Sequence, residues 1–406
     1  MSEQVIMVGE QLVPLGRDAR VIAVVGFGHM VSHFFHLIIA PLFPWLIAEY
    51  GYSYAELGFV MTVFFVFSGS FQAAAGFVVD RFGAGGTLIA GLLCLSLAAL
   101  GFSLSDSYYG LLVCAALAGL GNSVFHPVDF SMLNSRVSLP RLGPAYSAHG
   151  LTGSLGWAFA PIFLVTIATS YGWRVALMGA AVVPLLVIAT LLFNFDLLVE
   201  QDNPINPVSD SSSEISTTAF LRRSEIWWCF TFFVFVSGAI GAAQNFAPSI
   251  FGALYFLEIK PAAMSLTTMM LGSALGMGIG GWLVVRSQRL ERNITVSLVL
   301  AGISALLIGT GAVSPTIAVI LMAVLGFGLG LSGPSRDMLI RAATPEGATG
   351  RVYGVVYSGL DVGIALAPVA FGGMMDRGHF GEVFYGIAGC MVLSIYTAWR
   401  VTRTAK

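Results

Sequence analysis

Charge is what this sequence has least of. Asp, Glu, Lys and Arg make up only 10% of its 406 residues, 57% are hydrophobic, and the mean hydropathy is +0.86. Soluble domains carry about 25% charged residues, so a water-soluble fold is excluded. Nothing resembles a basic nucleic-acid surface, and the net charge is −2. Cysteine is scarce too: Cys94, Cys114, Cys229 and Cys390 each sit inside an apolar run. They offer neither a metal-binding spacing nor a disulfide framework, and read as small packing residues. No phosphate-binding loop is present, since Gly119-Leu120-Gly121 lies inside an apolar run without a following Lys-Ser/Thr. Direct ATP drive is thereby disfavoured. The first 20 residues lack a short apolar core with a cleavage site, so no removable signal is expected.

What is abundant is long apolar segments. About 20 such residues cross a bilayer as a helix. Twelve spans follow, near 20–47, 54–79, 85–104, 107–135, 142–170, 173–196, 223–254, 262–285, 293–313, 315–341, 349–375 and 381–401. An all-α membrane protein results, in contact with the lipid bilayer on most of its length. Segment 197–222, with Gln201-Asp202-Asn203-Pro204 and Ser209 to Ser213, is too polar to bury itself. It divides an N-terminal half (20–196) from a C-terminal half (223–401), with tails at 1–19 and 402–406. Aromatic residues are read as lipid-facing and interfacial, including Trp45, Trp173 and Trp399.

Lys and Arg total 19. With the N-terminus in the cytoplasm, Arg174, Lys260 and Arg377 face outward and Arg336 falls inside a span. The other fifteen face the cytoplasm. This asymmetry places both termini and the central loop inside.

The halves repeat. Ala40-Pro41 matches Ala247-Pro248, Gly119 to Pro127 matches Gly326 to Pro334, and Ala160-Pro161 matches Ala367-Pro368, each pair 207 residues apart. Two six-helix copies in parallel, pseudo-repeated, are the consequence.

Between spans 2 and 3 stands Gly76-Phe77-Val78-Val79-Asp80-Arg81-Phe82-Gly83. This G-x-x-x-D-R-x-G pattern resembles the signature loop of the major facilitator superfamily of secondary transporters. Gly281 to Arg286 echoes it with Val285 replacing the Asp. The family resemblance implies a small-molecule substrate bound between the halves near the midplane and alternating access without a cofactor. It also implies a monomer in the cell membrane, the inner membrane of a bacterium, and a carrier rather than an enzyme. Gly28-His29 to His33, Pro41-Leu42-Phe43-Pro44, Tyr54 to Gly58 and Gly121-Asn122-Ser123-Val124-Phe125-His126-Pro127 look like the fosmidomycin-resistance-like group. That resemblance implies proton-coupled efflux of a small polar or anionic compound. Two departures stand against ordinary drug–proton antiport: Ala115 replaces the span-4 Arg, and Ala84-Gly85 replace the basic end of the signature loop.

Five of the six histidines lie in N-terminal spans. His29, His33 and His36 share a face of span 1, and His126 lies three residues before Asp129 on span 4. Imidazole can carry a proton or bind an anion near neutrality. Substrate-binding candidates are His33, His36, His126, Gln244, Asn245 and Arg336. Proton-coupling candidates are Asp361, His33, Asp129 and His149. Tyr357 or Ser358 could hold Asp361 instead, and Arg336 is expected to pair with Asp129 rather than with adjacent Asp337. The cytoplasmic gate is assigned to Gly76, Asp80, Arg81, Gly83 and Arg351, with Asp80 meeting the N-terminal end of span 11 near Gly350. A tri-histidine metal site is weighed and set aside, because three ligands on one helix converge poorly and no acid stands beside them. The alternatives are efflux of hydrophobic cations or a membrane-embedded metalloenzyme.

Overall fold

The computed structural model describes residues 5–8, 11–194, 219–286, 289–343 and 349–404. Most of the central loop 197–222 lies outside the described residues, as do the side chains of Asp80 and Arg351. A short antiparallel hairpin, β1 (Val5–Val8) with β2 (Gln11–Pro14), precedes the helices. The helices are α1 (Leu15–Phe35), α2 (Phe43–Tyr50), α3 (Tyr54–Phe82), α4 (Ala84–Leu104), α5 (Tyr108–Asn122), α6 (Phe125–Arg136) and α7 (Leu139–Tyr171). They continue with α8 (Trp173–Phe193), α9 (Ser224–Tyr255), α10 (Ile259–Arg286), α11 (Leu290–Gly309), α12 (Pro315–Ala343), α13 (Thr349–Asp376) and α14 (Phe380–Thr404). Taken with two interrupted spans, they give, among the described residues, twelve segments long and apolar enough to cross a membrane.

The interruptions distinguish the two copies. Span 1 stops at Phe35, passes through a 3-10 turn at Ala40–Leu42 and resumes as α2. Span 4 breaks at Ser123-Val124 between α5 and α6. Their counterparts α9 and α12 run unbroken through Pro248 and Pro334. Proline alone therefore does not open these spans, since both copies carry it.

Local chemistry sets the turns. Gly51 takes φ 70° and its N–H closes α2 onto the Ile47 carbonyl at 2.9 Å, a left-handed cap that suits glycine. Gly83 holds φ 78° between α3 and α4, so the expected glycine turn is a backbone requirement. The start of α7 is pinned by a buried carboxylate: Asp18 accepts from Ser138 Oγ (2.5 Å) and Arg141 Nη1 (2.8 Å).

The chain forms two compact units. One comprises Met1–Ile38, Phe67–Ala160 and Ile167–Asp210; the other comprises Ile39–Val66, Pro161–Thr166 and Ser211–Lys406. In the second unit, Gly272, Gly276 and Gly280 of α10 face α12, whose Gly326 and Gly330 face back. A Cβ at these five positions would meet backbone atoms of the other helix, so contact depends on small residues, as is usual between membrane helices. Within the same unit the first turns of α3 lie along the end of α13. Thr62 Oγ1 donates to the Ala365 carbonyl at 2.7 Å, and a Cβ on Gly58 would sit 2.8 Å from Pro368 Cβ. This packing explains why Ile39–Val66 groups with the C-terminal residues. Trp173 departs from the interfacial expectation: it is 3% exposed, with the Arg174 guanidinium 4.3 Å from its ring centre.

Candidate functional site

In the first unit the polar residues of α1, α6 and α7 meet. Their helical spacing places His29 and His33 on one face of α1, while Asp129 and His149 come from α6 and α7. His149 Nε2 lies 3.0 Å from Asp129 Oδ2, and His29 Nδ1 lies 3.2 Å from the same oxygen. The three residues are buried. The His29 and His149 rings stack with centroids 3.5 Å apart, and His33 stands 4.4 Å from His29. Gly153 of α7 makes room for them: a Cβ there would lie 2.7 Å from His33 Cε1 and 2.9 Å from His29 Nε2.

A second network adjoins the first. His36 caps the end of α1. The Trp157 indole nitrogen lies 3.2 Å from His36 Nδ1, and the Asn122 amide nitrogen lies 3.1 Å from His36 Nε2, so the ring is held between two donors. That amide also contacts Ser32 Oγ (2.6 Å) and Ser68 Oγ (2.9 Å). Asn122 is thus a hub at the break of span 4. His126 Nδ1 approaches Gln72 Oε1 at 3.1 Å, and the glutamine oxygen accepts. Five predicted residues of the first unit, His33, His36, His126, Asp129 and His149, therefore form one contiguous constellation with His29.

In the second unit the predicted residues occupy separate places. Gln244 and Asn245 are buried on α9; Asn245 Nδ2 bonds the Gly241 carbonyl at 2.8 Å. Gln244 Nε2 and Asn245 Oδ1 have no partner among the described residues. Arg336 pairs with its neighbour after all: its Nε lies 2.9 Å from Asp337 Oδ1, which also accepts from Tyr357 Oη at 3.1 Å. Asp129 is engaged by His29 and His149 within the first unit, and within the second the Arg336 guanidinium lies over Phe233 (4.6 Å). Asp361 is half-buried and makes no hydrogen bond among the described residues. Neither suggested hydroxyl holds it, since Ser358 Oγ bonds the Val355 carbonyl (2.7 Å) and Tyr357 bonds Asp337. Of the gate residues, Gly76 lies inside α3, Gly83 forms the α3–α4 turn and Arg81 is exposed beside Phe82. The contact of Asp80 with Gly350 and Arg351 rests on side chains outside those described.

Sequence reasoning missed Asn122, Ser32, Ser68, Gln72 and Trp157. Asn122 stood within Gly121 to Pro127, the stretch quoted for the resemblance. A buried amide beside a proline-bearing break was the available signal.

Among the described residues, two groups of side chains could hold a metal ion: His29, His33 and His126, and His29, Asp129 and His149. The ligands come from more than one helix, which removes the geometric objection raised for span 1 alone.

A buried polar core held in twelve apolar helices, with duplicated halves, defines a membrane carrier. The family model described as Major Facilitator Superfamily matches residues 25–368 and 262–406, and the chain belongs to that superfamily of transporters. It is 23% identical over 381 residues to the uncharacterized MFS-type transporter YfnC of Bacillus subtilis, covering 92% of this chain and 91% of that one. It is 27% identical over 153 residues to the fosmidomycin resistance protein of Escherichia coli, 37% of each chain. Among solved structures, a bacterial homolog of the human lysosomal transporter Spinster, inward-facing and occupied, aligns with TM-score 0.75 at 14% identity, covering 96% of each chain.

Proposed function

We propose that this transporter moves a small organic anion or a similarly polar drug-like compound by proton-coupled alternating access, as a monomer with both termini in the cytoplasm. The observation that carries the reading is Asp129, a carboxylate buried in a membrane helix with two imidazoles against one oxygen. Such groups are costly in a bilayer and mark ion or proton paths by default. Asp361, half-buried and without a hydrogen bond among the described residues, is a second coupling acid. The unspent amide atoms of Gln244 and Asn245 are available to a polar ligand, and Arg336 supplies a positive charge. The likeness to a protein named for fosmidomycin resistance agrees with a polar drug-like cargo.

The test is transport in proteoliposomes with an imposed pH gradient, screened against small carboxylates, phosphonates and a cationic dye. The expected result is anion movement driven by the gradient, with coupling lost in Asp129→Asn or Asp361→Asn while counterflow of the anion persists. Anion flux indifferent to the gradient and to both substitutions overturns the coupling. Movement of the cationic dye alone overturns the substrate class.

A further inference from the structure

We infer that the first unit contains a binding site for one divalent transition-metal ion of the Zn²⁺, Co²⁺, Ni²⁺ class, with His29 Nδ1, Asp129 Oδ2 and His149 Nε2 as its protein ligands. This goes beyond the transport reading and does not depend on it.

Three helices supply the donors: α1, α6 and α7. Their atoms lie within 4.8 Å of one another, and the two nitrogens are 3.2 and 3.0 Å from the carboxylate oxygen. A tetrahedral zinc with bonds of about 2.0–2.1 Å holds its donors roughly 3.3–3.4 Å apart. A small outward shift of each side chain would therefore seat the ion. The contact between His29 and Asp129 is informative. The two atoms are 3.2 Å apart, yet among the described residues His29 Nδ1 has no hydrogen-bond partner, and Asp129 Oδ1 has none either. Two nitrogens converging on one oxygen, one of them without a hydrogen bond, is the arrangement a cation would bridge.

Charge selects this set over the other. Two neutral imidazoles and a carboxylate leave a bound dication with a net charge of +1 in apolar surroundings. The all-imidazole set of His29, His33 and His126 would leave +2, with no counter-charge inside the set. His33 and His126 are instead the half-buried margin of the cluster, where an entering ion first meets imidazole. His33 Nδ1 is buried without a partner beside His29, and the bare Cα of Gly153 keeps both rings in place. Three protein ligands leave a fourth position for water or a small oxyanion, the pattern of an open rather than a closed zinc site.

The experiment uses the full-length protein, purified with a tag free of histidine and stripped with a chelator. Co²⁺ is titrated while the visible d–d absorption is recorded, and Zn²⁺ uptake after desalting is counted by mass spectrometry. The expected result is one equivalent of metal, an intense four-coordinate Co²⁺ spectrum displaced by Zn²⁺, and a rise in Tm on loading. His29→Ala and Asp129→Asn should each weaken binding by about 100-fold or more, beyond the 10–100-fold loss typical of an outer-shell partner. His379→Gln, on the exposed His379–Glu382 pair, should leave affinity and spectrum unchanged. Gel-filtration profiles and metal-free Tm values identify any variant that has lost its fold. Absence of stoichiometric uptake by the parent protein overturns the inference. So does uptake that persists in both ligand variants, because it would belong elsewhere, for example to the exposed His379–Glu382 pair.

Discussion

Removing the Asp376 carboxylate should release the end of α3 from α13. The first turn of any helix leaves N–H groups without an internal partner. Here Ser53 and Glu56 form a reciprocal cap: Glu56 N–H donates to Ser53 Oγ (3.1 Å) and Ser53 N–H donates to Glu56 Oε2 (2.8 Å). The next two donors go to a carboxylate more than 300 residues away. Tyr54 N–H donates to Asp376 Oδ1 (2.6 Å) and Ala55 N–H to Oδ2 (3.1 Å). A negative charge there also meets the positive end of the helix dipole. The contact is exposed, so the net value is that of a surface cap, about 0.5–2 kcal/mol for replacement by Ala. One or two kcal/mol is a factor of about 5–30 in a population ratio. Spin labels at Phe59 and Val369, both exposed on the two helices, placed in a cysteine-free background, report that ratio as a distance distribution. The parent protein should show a dominant short distance. Asp376→Ala should populate a longer one, and Asp376→Asn, with one acceptor oxygen and no charge, should fall between. Identical distributions in all three proteins would refute the reasoning.

Two further predictions concern the first unit. Asn122→Ala removes three interhelical contacts, and at the ~0.6–1.7 kcal/mol measured for such bonds in membranes should cost about 2–5 kcal/mol; thermal unfolding in detergent checks this, and an unchanged Tm counts against Asn122 as a hub. Gly156→Ala should destabilise by about 1–3 kcal/mol through overpacking, because a Cβ there overlaps the Met30 carbonyl of α1. Gly143→Ala, in the same helix with nothing within 4 Å, should instead gain up to about 1 kcal/mol of helix propensity. Opposite signs from one chemical change, read in the same melting assay, separate packing from propensity.

The hydrophobic runs made the helix number legible, since a bilayer demands a fixed length of apolar helix. The 207-residue repeat made the duplication legible for the same reason that it survives: equivalent spans keep equivalent glycines and prolines. Side-chain partners were less legible. Helical spacing put His29 and His33 on one face and His126 one turn before Asp129, and the structure joins these faces. The partners of Arg336 were misjudged because adjacent residues on a helix diverge at Cβ, whereas a long guanidinium can still curl back to Asp337. The α3–α13 clasp could not be read at all. Asp376 lies one residue past the span expected at 349–375, and its role depends on two helix ends more than 300 residues apart in sequence.

The broken spans show what the duplication hides. Span 1 and span 4 lose helical continuity beside His36 and Asn122, whereas α9 and α12 keep it through prolines at the matching positions. An interrupted helix frees backbone groups that a bilayer will not tolerate unless protein groups satisfy them. At the first break His36 N–H returns to the Ser32 carbonyl (3.2 Å), and Leu37 and Ile38 N–H return to Phe34 and Phe35 (3.1 and 3.2 Å). At the second, Ser123 N–H reaches the Gly119 and Leu120 carbonyls (3.0 and 3.3 Å), and Ser123 Oγ takes Leu120 as well (2.7 Å). The backbone is therefore closed locally. The side chains released from helical register, His36 and Asn122, are free to turn toward each other and toward Trp157. In the second copy the corresponding stretch of α9 stays helical, and Gln244 Nε2 and Asn245 Oδ1 have no partner among the described residues. Where the helix breaks, side chains of different helices meet, as His36, Asn122 and Trp157 do; where it stays whole, an amide turns back on its own helix, as Asn245 Nδ2 does to the Gly241 carbonyl at 2.8 Å.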